Sequence, residues 1–126
     1  MQFLRQGTAV IVRVGVFVDV TDKVTPQTDI TLGGNEAELL KNASVEVDIA
    51  TRTWAAVTNC RGWYDLTLTT DDTDTLGLLT VVVQDDSDCL PVFKDYMVVP
   101  ANVWDSLFGS GKLMVDASAK SRFFVE

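Results

Sequence analysis

The stretch AVIVRVGVFVDV, residues 9–20, decides the fold. Val10, Val12, Val14, Val16, Val18 and Val20 occupy every second position, with Ala, Ile, Arg, Gly, Phe and Asp between them. Successive side chains of a strand point to opposite faces, so this spacing predicts a β-strand with one valine face. β-branched residues suit such a pleated, half-buried surface. The run is long for one strand, and Gly15 at its middle is where a bulge or bend would let it change partner. The other face mixes Ile11 and Phe17 with Arg13 and Asp19, so it is expected to be only partly covered.

Outward from this strand the chain alternates between short apolar runs and turn chemistry. Residues 21–35, TDKVTPQTDITLGGN, read as loop, with room for one short edge strand at 30–32. EAELLKN, residues 36–42, is open between helix by residue type and strand by alternation, and is too short for an independent helix. SVEVDI (44–49) alternates cleanly and TWAAV (53–57) is its expected return strand. WYDLTLT (63–69) turns Tyr64, Leu66 and Leu68 to one face. LLTVVVQ (78–84) is apolar enough to be a central strand, and VFKDYMVV (92–99) is a further one. After Pro100 the spacing of Val103, Trp104, Leu107 and Phe108 predicts one short helix over about 101–108, with Asn102 as its N-cap and Gly109 as its stop. KLMVD (112–116) is strand-like.

Seven or eight short strands separated by turns, with one late helix, predict an all-β sandwich with Trp54 and Trp63 in its core. DDTDTLG (71–77) joins two strands, with a short helical turn capped by Thr70 or Asp71 in the manner of immunoglobulin-like domains. The expected layout is one β-sandwich domain over 1–116, with about 7–8 antiparallel strands, and a C-terminal docking tail over 117–126 with SRFFVE at its end.

Composition bounds the function. The chain has 126 residues, enough to bury a core without staples, and 47% of them are hydrophobic, which argues against disorder. A formal net charge of −8 repels phosphate backbones, so nucleic acid is not an expected partner. No apolar run is long enough to span a bilayer, and no signal peptide is read at the N-terminus. Folding in a cytoplasm is the expectation. Cys60 and Cys89 have no CxxC spacing and the chain has no histidine, so zinc is not expected and free thiols are the simplest reading.

The acidic loops TTDDTDTLG and QDDSDC hold the weak calcium candidates Asp71, Asp72, Asp74, Asp85, Asp86 and Asp88. Calcium takes six to eight oxygens, but the EF-hand pattern is absent, and Asp and Thr also serve turns and caps on their own account. Metal and cofactor are therefore expected to be none. GSGK (109–112) follows a helix where a phosphate loop would precede one. With no histidine base and no GxSxG, no enzyme is expected.

Three segments resemble a family of small bacteriophage virion structural proteins: FLRQGTAVIVRVGVFVDVTD (3–22), GWYDLTLTTDDTDTLGLLTVVVQ (62–84) and LPVFKDYMVVPANVWDSLFGSGKL (90–113). VPANVWDSLFG, residues 99–109, is the most specific piece, and residues 33–57 match less well. The resemblance implies an immunoglobulin-like β-sandwich at or near the phage tail, similar to N-terminal modules of baseplate and fibre proteins. It carries no catalytic residues.

The resulting expectation is a tail-associated adaptor, short fibre or baseplate component in the virion, made in the bacterial host cytoplasm. It would act by assembly with other virion proteins and as a homo-oligomer. Its expected contacts are Val10, Val12, Arg13 and Phe17 on the valine strand and Phe123, Phe124 and Val125 at the C-terminus, since a free strand edge can pair with another chain. A capsid decoration protein is the first alternative. A carbohydrate-binding module using Trp54, Trp63 or Trp104 is the second.

Overall fold

The computed structural model describes residues 1–42 and 44–109. These form eight strands and one helix. In chain order they are β1 (Gln2–Arg5), β2 (Val10–Val14), β3 (Ala37–Lys41), β4 (Val47–Asp48), β5 (Trp54–Ala56), β6 (Tyr64–Leu68), β7 (Gly77–Val83), β8 (Val92–Val99) and α1 (Ala101–Phe108). Five strands make one sheet in the order β1-β8-β7-β3-β4, and three make a second in the order β2-β6-β5. Inward side chains of both sheets meet in one core, where Leu39, Leu79, Val81 and Tyr96 of the first sheet join Val12, Val14, Leu66 and Leu68 of the second. The Tyr96 hydroxyl crosses between the sheets and donates to the Arg13 carbonyl at 2.9 Å.

The valine run is shorter as a strand than its period suggests. It pairs with β6 only from Val10 to Val14. Gly15 then packs so closely on Trp63 that an added Cβ would lie 2.7 Å from the indole. Beyond it the Phe17 N–H donates to the Gly62 carbonyl, and the Phe17 carbonyl accepts from Gln27. The inward side changes parity at this point: Val12 and Val14 are buried, but so is Phe17, while Val16 is 47% exposed. Six valines on one face is therefore corrected to a core-facing stretch at Val10, Val12 and Val14, followed by a bend at Gly15.

Several other segments meet the expectation. β6 buries Tyr64, Leu66 and Leu68. β7 is the middle strand of its sheet, paired to β3 on one side and β8 on the other. EAELLKN resolves as strand β3 because Ala37 and Leu39 are both fully buried against the core, and tertiary burial outweighs the helical preference of its residue types. α1 has the expected bounds.

Four expectations are corrected. β4 and β5 do not form a hairpin. The chain turns at Asp48, whose carboxylate accepts from the Ala50 N–H, buries Ile49, and crosses so that β5 joins the other sheet beside β6. Residues 30–32 form no strand, although Ile30 and Leu32 pack against the core. The strands are not all antiparallel: β1, absent from the sequence reading, pairs parallel to β8. The helix N-cap is Pro100, not Asn102, and no side chain caps it. The strand expected at 112–116 and the docking tail at 117–126 lie outside the described residues.

Helix α1 is fastened to β1. Arg5 donates from Nε and Nη2 to the two carboxylate oxygens of Asp105, at 2.9 and 3.1 Å. The Phe3 and Phe108 rings meet edge to face at 6.5 Å.

Candidate functional site

The two acidic loops lie at opposite ends of β7, roughly 20 Å apart at about 3.3 Å per residue. They do not converge, and among the described residues no group of three or more carboxylates or cysteines is placed to hold a metal ion. Local structure absorbs most of these carboxylates. Asp72 is buried and takes two hydrogen bonds from Arg52. Asp74 accepts from Lys41 at 3.1 Å. Asp85 Oδ1 accepts from the Ser87 N–H and hydroxyl and from the Asp88 N–H. Asp88 Oδ2 accepts from the Thr31 N–H at 3.2 Å. Asp71 and Asp86 are exposed. The expected short turn at the first loop is present at residues 70–73, but its cap is Thr69, whose hydroxyl accepts from the Asp72 N–H while Asp72 accepts from the Thr69 N–H. This reciprocal pairing is that of a capping box.

A cleft lined by Val20, Glu36, Asp85, Asp86, Cys89 and Pro91 opens beside the second loop. Its thiol is unsuited to nucleophilic chemistry. Burial, reinforced by the Asp85 and Asp88 charges, pushes Cys89 up to about 11, and the thiolate is the reactive form. Neither cysteine is in a disulfide; Cys89 is buried and Cys60 exposed.

Of the expected contact residues on the valine strand, Val12 and Phe17 are core side chains at 1% and 0% exposure and present no surface. Val10 is half-buried. Arg13 is exposed on the outer face of β2, where its Nε donates to Asp65 at 3.0 Å. Among the described residues β2 is an edge strand of its sheet. Phe123, Phe124 and Val125 lie outside the described residues. The three tryptophans are half-buried, each with a local packing partner. Trp54 donates to the Ile49 carbonyl and packs edge-on to Phe17. Trp63 lies under Lys94, and Trp104 packs on Phe108.

The surface that stands out is the outer face of the five-stranded sheet. Register places its side chains in rows. Phe3, Met97 and Leu78 form one row. Asp95, Thr80 and Leu40 form the next, and Phe93, Val82, Glu38 and Asp48 the third. A solvated sheet face is ordinarily polar. Here Phe3, Leu40, Leu78 and Phe93 are 41%, 44%, 41% and 61% exposed. Among the described residues, the acidic side chains of these rows, Asp95, Glu38 and Asp48, make no salt bridge. Asp95 accepts from Thr80. Glu38 has both carboxylate oxygens out of water and, among the described residues, without a hydrogen-bond partner. Loss of water, followed by the Asp48 and Glu46 charges, holds its carboxyl above the ordinary value. Arg5 of β1 is engaged by Asp105.

The valine run led away from this face. Its signal was the absence of alternation in LLTVVVQ and VFKDYMVV, which place apolar residues on both sides of β7 and β8. Such runs are read as central strands covered on both faces; on the outer one Leu78 and Phe93 remain exposed.

No family model matches the chain, and no curated protein matches it. No helix of the described residues is long and apolar enough to cross a membrane.

Proposed function

We propose that this chain is a bacteriophage virion structural protein, a tail-associated adaptor or baseplate component with an immunoglobulin-like β-sandwich, that acts by assembly with other virion proteins. The observation that carries the reading is the apolar outer face of the five-stranded sheet. Exposed apolar patches of this kind mark interaction surfaces. Most carboxylates of the two acidic loops, by contrast, accept local hydrogen bonds that hold the fold. The similarity of residues 99–109 to phage structural proteins adds support. That segment contains α1 and the Asp105 and Phe108 contacts that bind it to β1. Copies of such a component would follow the ring or trimer symmetry of a tail.

Mass spectrometry of purified particles of a phage that encodes the chain tests this. The chain is expected among the particle proteins at a ring or trimer copy number. A number that scales with the capsid lattice would assign it to head decoration, and absence from particles would remove the virion reading.

A further inference from the structure

We propose that the cleft beside the second acidic loop receives a lysine side chain of a protein partner, with the ammonium on Oδ2 of Asp85 and the hydrocarbon stem against Val20, Leu90 and Pro91. The inference does not rest on the virion reading, and it leaves the outer face of the five-stranded sheet open. The cleft lies at one end of that sheet. Glu36 precedes β3, residues 84–86 follow β7 and Pro91 precedes β8. The register brings these ends together, since Val83 pairs with both Ala37 and Val92. Backbone hydrogen bonds fix the walls: the Val20 N–H donates to the Asp88 carbonyl and the Leu90 N–H to the Val18 carbonyl. The volume is about 430 Å3, within the range of sites that take small ligands.

Asp85 carries the argument. It lines the cleft yet is only 1% exposed. Its Oδ1 accepts from the Ser87 N–H and hydroxyl and from the Asp88 N–H. Its Oδ2 is shielded from water and, among the described residues, accepts no hydrogen bond. A shielded carboxylate oxygen without a donor is costly, and a charged donor offsets that cost. Glu36 and Asp86 add two further carboxylates to the same lining, and no described lining residue is basic. Among the described residues none of the three makes a salt bridge. The negative field is felt at the Cys89 thiol, which burial and then the Asp85 and Asp88 charges push upward.

The rest of the lining selects among cations. Val20, Leu90 and Pro91 present hydrocarbon, which suits the methylene stem of a lysine. Calcium takes six to eight oxygens, and among the described residues no acidic group is placed to supply them. One open oxygen on Asp85 suits a compact ammonium, whereas the guanidinium fork of arginine matches two.

Titration of the full chain with Nα-acetyl-lysine N-methylamide, followed by amide chemical shifts in NMR, tests this. Saturable shifts are expected at Ser87, Asp88, Cys89 and Leu90, with a Kd of about 1 mM for a ligand of this size. No saturable shift there by about 50 mM probe overturns the proposal. The Nε-acetylated probe keeps the stem and loses the charge, and should bind at least about 10-fold more weakly. Equal binding overturns the role of the ammonium. The arginine counterpart and n-butylammonium should each bind more weakly. Equal or tighter binding of the first overturns the assignment to lysine, and of the second the assignment to a protein partner. Calcium chloride at about 5 mM, above the Kd of weak protein sites, should leave the titration unchanged; displacement of the probe would make the cleft a metal site and overturn the proposal. Asp85→Asn keeps the Oδ1 acceptor for Ser87 and Asp88 and removes the charge. It should weaken the lysine probe at least about 10-fold, and unchanged affinity overturns the proposal. If that variant fails to fold, the pair of charged and Nε-acetylated probes on the unsubstituted chain decides.

Discussion

Arg52 grips the buried carboxylate of Asp72 with two parallel hydrogen bonds, Nε to Oδ2 and Nη2 to Oδ1, each 2.9 Å long. The pair ties the turn before β5 to the linker between β6 and β7, so it spans the crossing from one sheet to the other. Removing one partner of a buried ion pair leaves an uncompensated charge. Arg52→Met is expected to cost about 3 kcal/mol, the low end for such losses, because Asp72 keeps its bond from the Thr69 N–H. Urea unfolding of the variant measures this. A loss below about 1 kcal/mol would place the pair with ordinary surface bridges.

The same pair sets a pH dependence. Burial pushes the Asp72 carboxyl up, but the Arg52 and Thr69 hydrogen bonds outweigh it and hold the group below its ordinary 3.8. A carboxyl depressed in the folded state binds fewer protons folded than unfolded. Its stabilisation is therefore fully present above the ordinary value and lost as pH falls through the depressed one. The gap in urea midpoint between the unsubstituted chain and Arg52→Met should be widest near neutrality and close as pH falls below that value. A gap that does not change with pH would show that Arg52 acts by packing alone.

Thiol reactivity separates the two cysteines. Cys60 is exposed, whereas Cys89 is buried and its thiol is pushed up to about 11 by burial and by Asp85 and Asp88. A thiol reagent at neutral pH should label one site per native chain, at Cys60, and both in denaturant. Rapid native labelling of Cys89 would mean that the cleft beside Pro91 opens.

Tyr96→Phe tests the link between the sheets. The phenol is buried and donates to the Arg13 carbonyl. Its loss removes one hydrogen bond and leaves a shielded carbonyl short of a donor, at an expected cost of about 1–2 kcal/mol with the fold retained. Thermal unfolding with an unchanged far-ultraviolet spectrum checks it; no change in stability would show that water replaces the phenol.

Gly62→Ala should be worse tolerated than its exposed neighbours. Gly62 adopts φ +85°, and an added Cβ would meet the Phe17 carbonyl and the Val16 side chain at 2.9 Å. Left-handed strain alone is about 1–3 kcal/mol, and the backbone overlap adds to it. Arg61→Ala, in the same turn and exposed, is expected to change stability by less than about 0.5 kcal/mol. Similar unfolding midpoints for the two variants would refute the close approach.

What the sequence determined by itself is a mostly β chain, the strands β6, β7 and β8, and the helix. Alternation at Tyr64, Leu66 and Leu68 has a period that only a half-buried strand satisfies, and the Val103, Trp104, Leu107 and Phe108 spacing has one that only a helix satisfies. It also marked β7 as central, because apolar residues on both faces need cover on both sides. The tertiary structure decided which sheet each strand joins and where the valine run stops. Those outcomes depend on contacts between distant residues. Gly15 bends against Trp63, Ile49 turns inward and carries β5 to the second sheet, and Gln2–Arg5 pairs with β8 from the far end of the described chain. The candidate interface was equally out of reach. Phe3, Leu78, Leu40 and Phe93 are scattered in sequence, and only the hydrogen-bond register of four strands brings them onto one face beside Glu38.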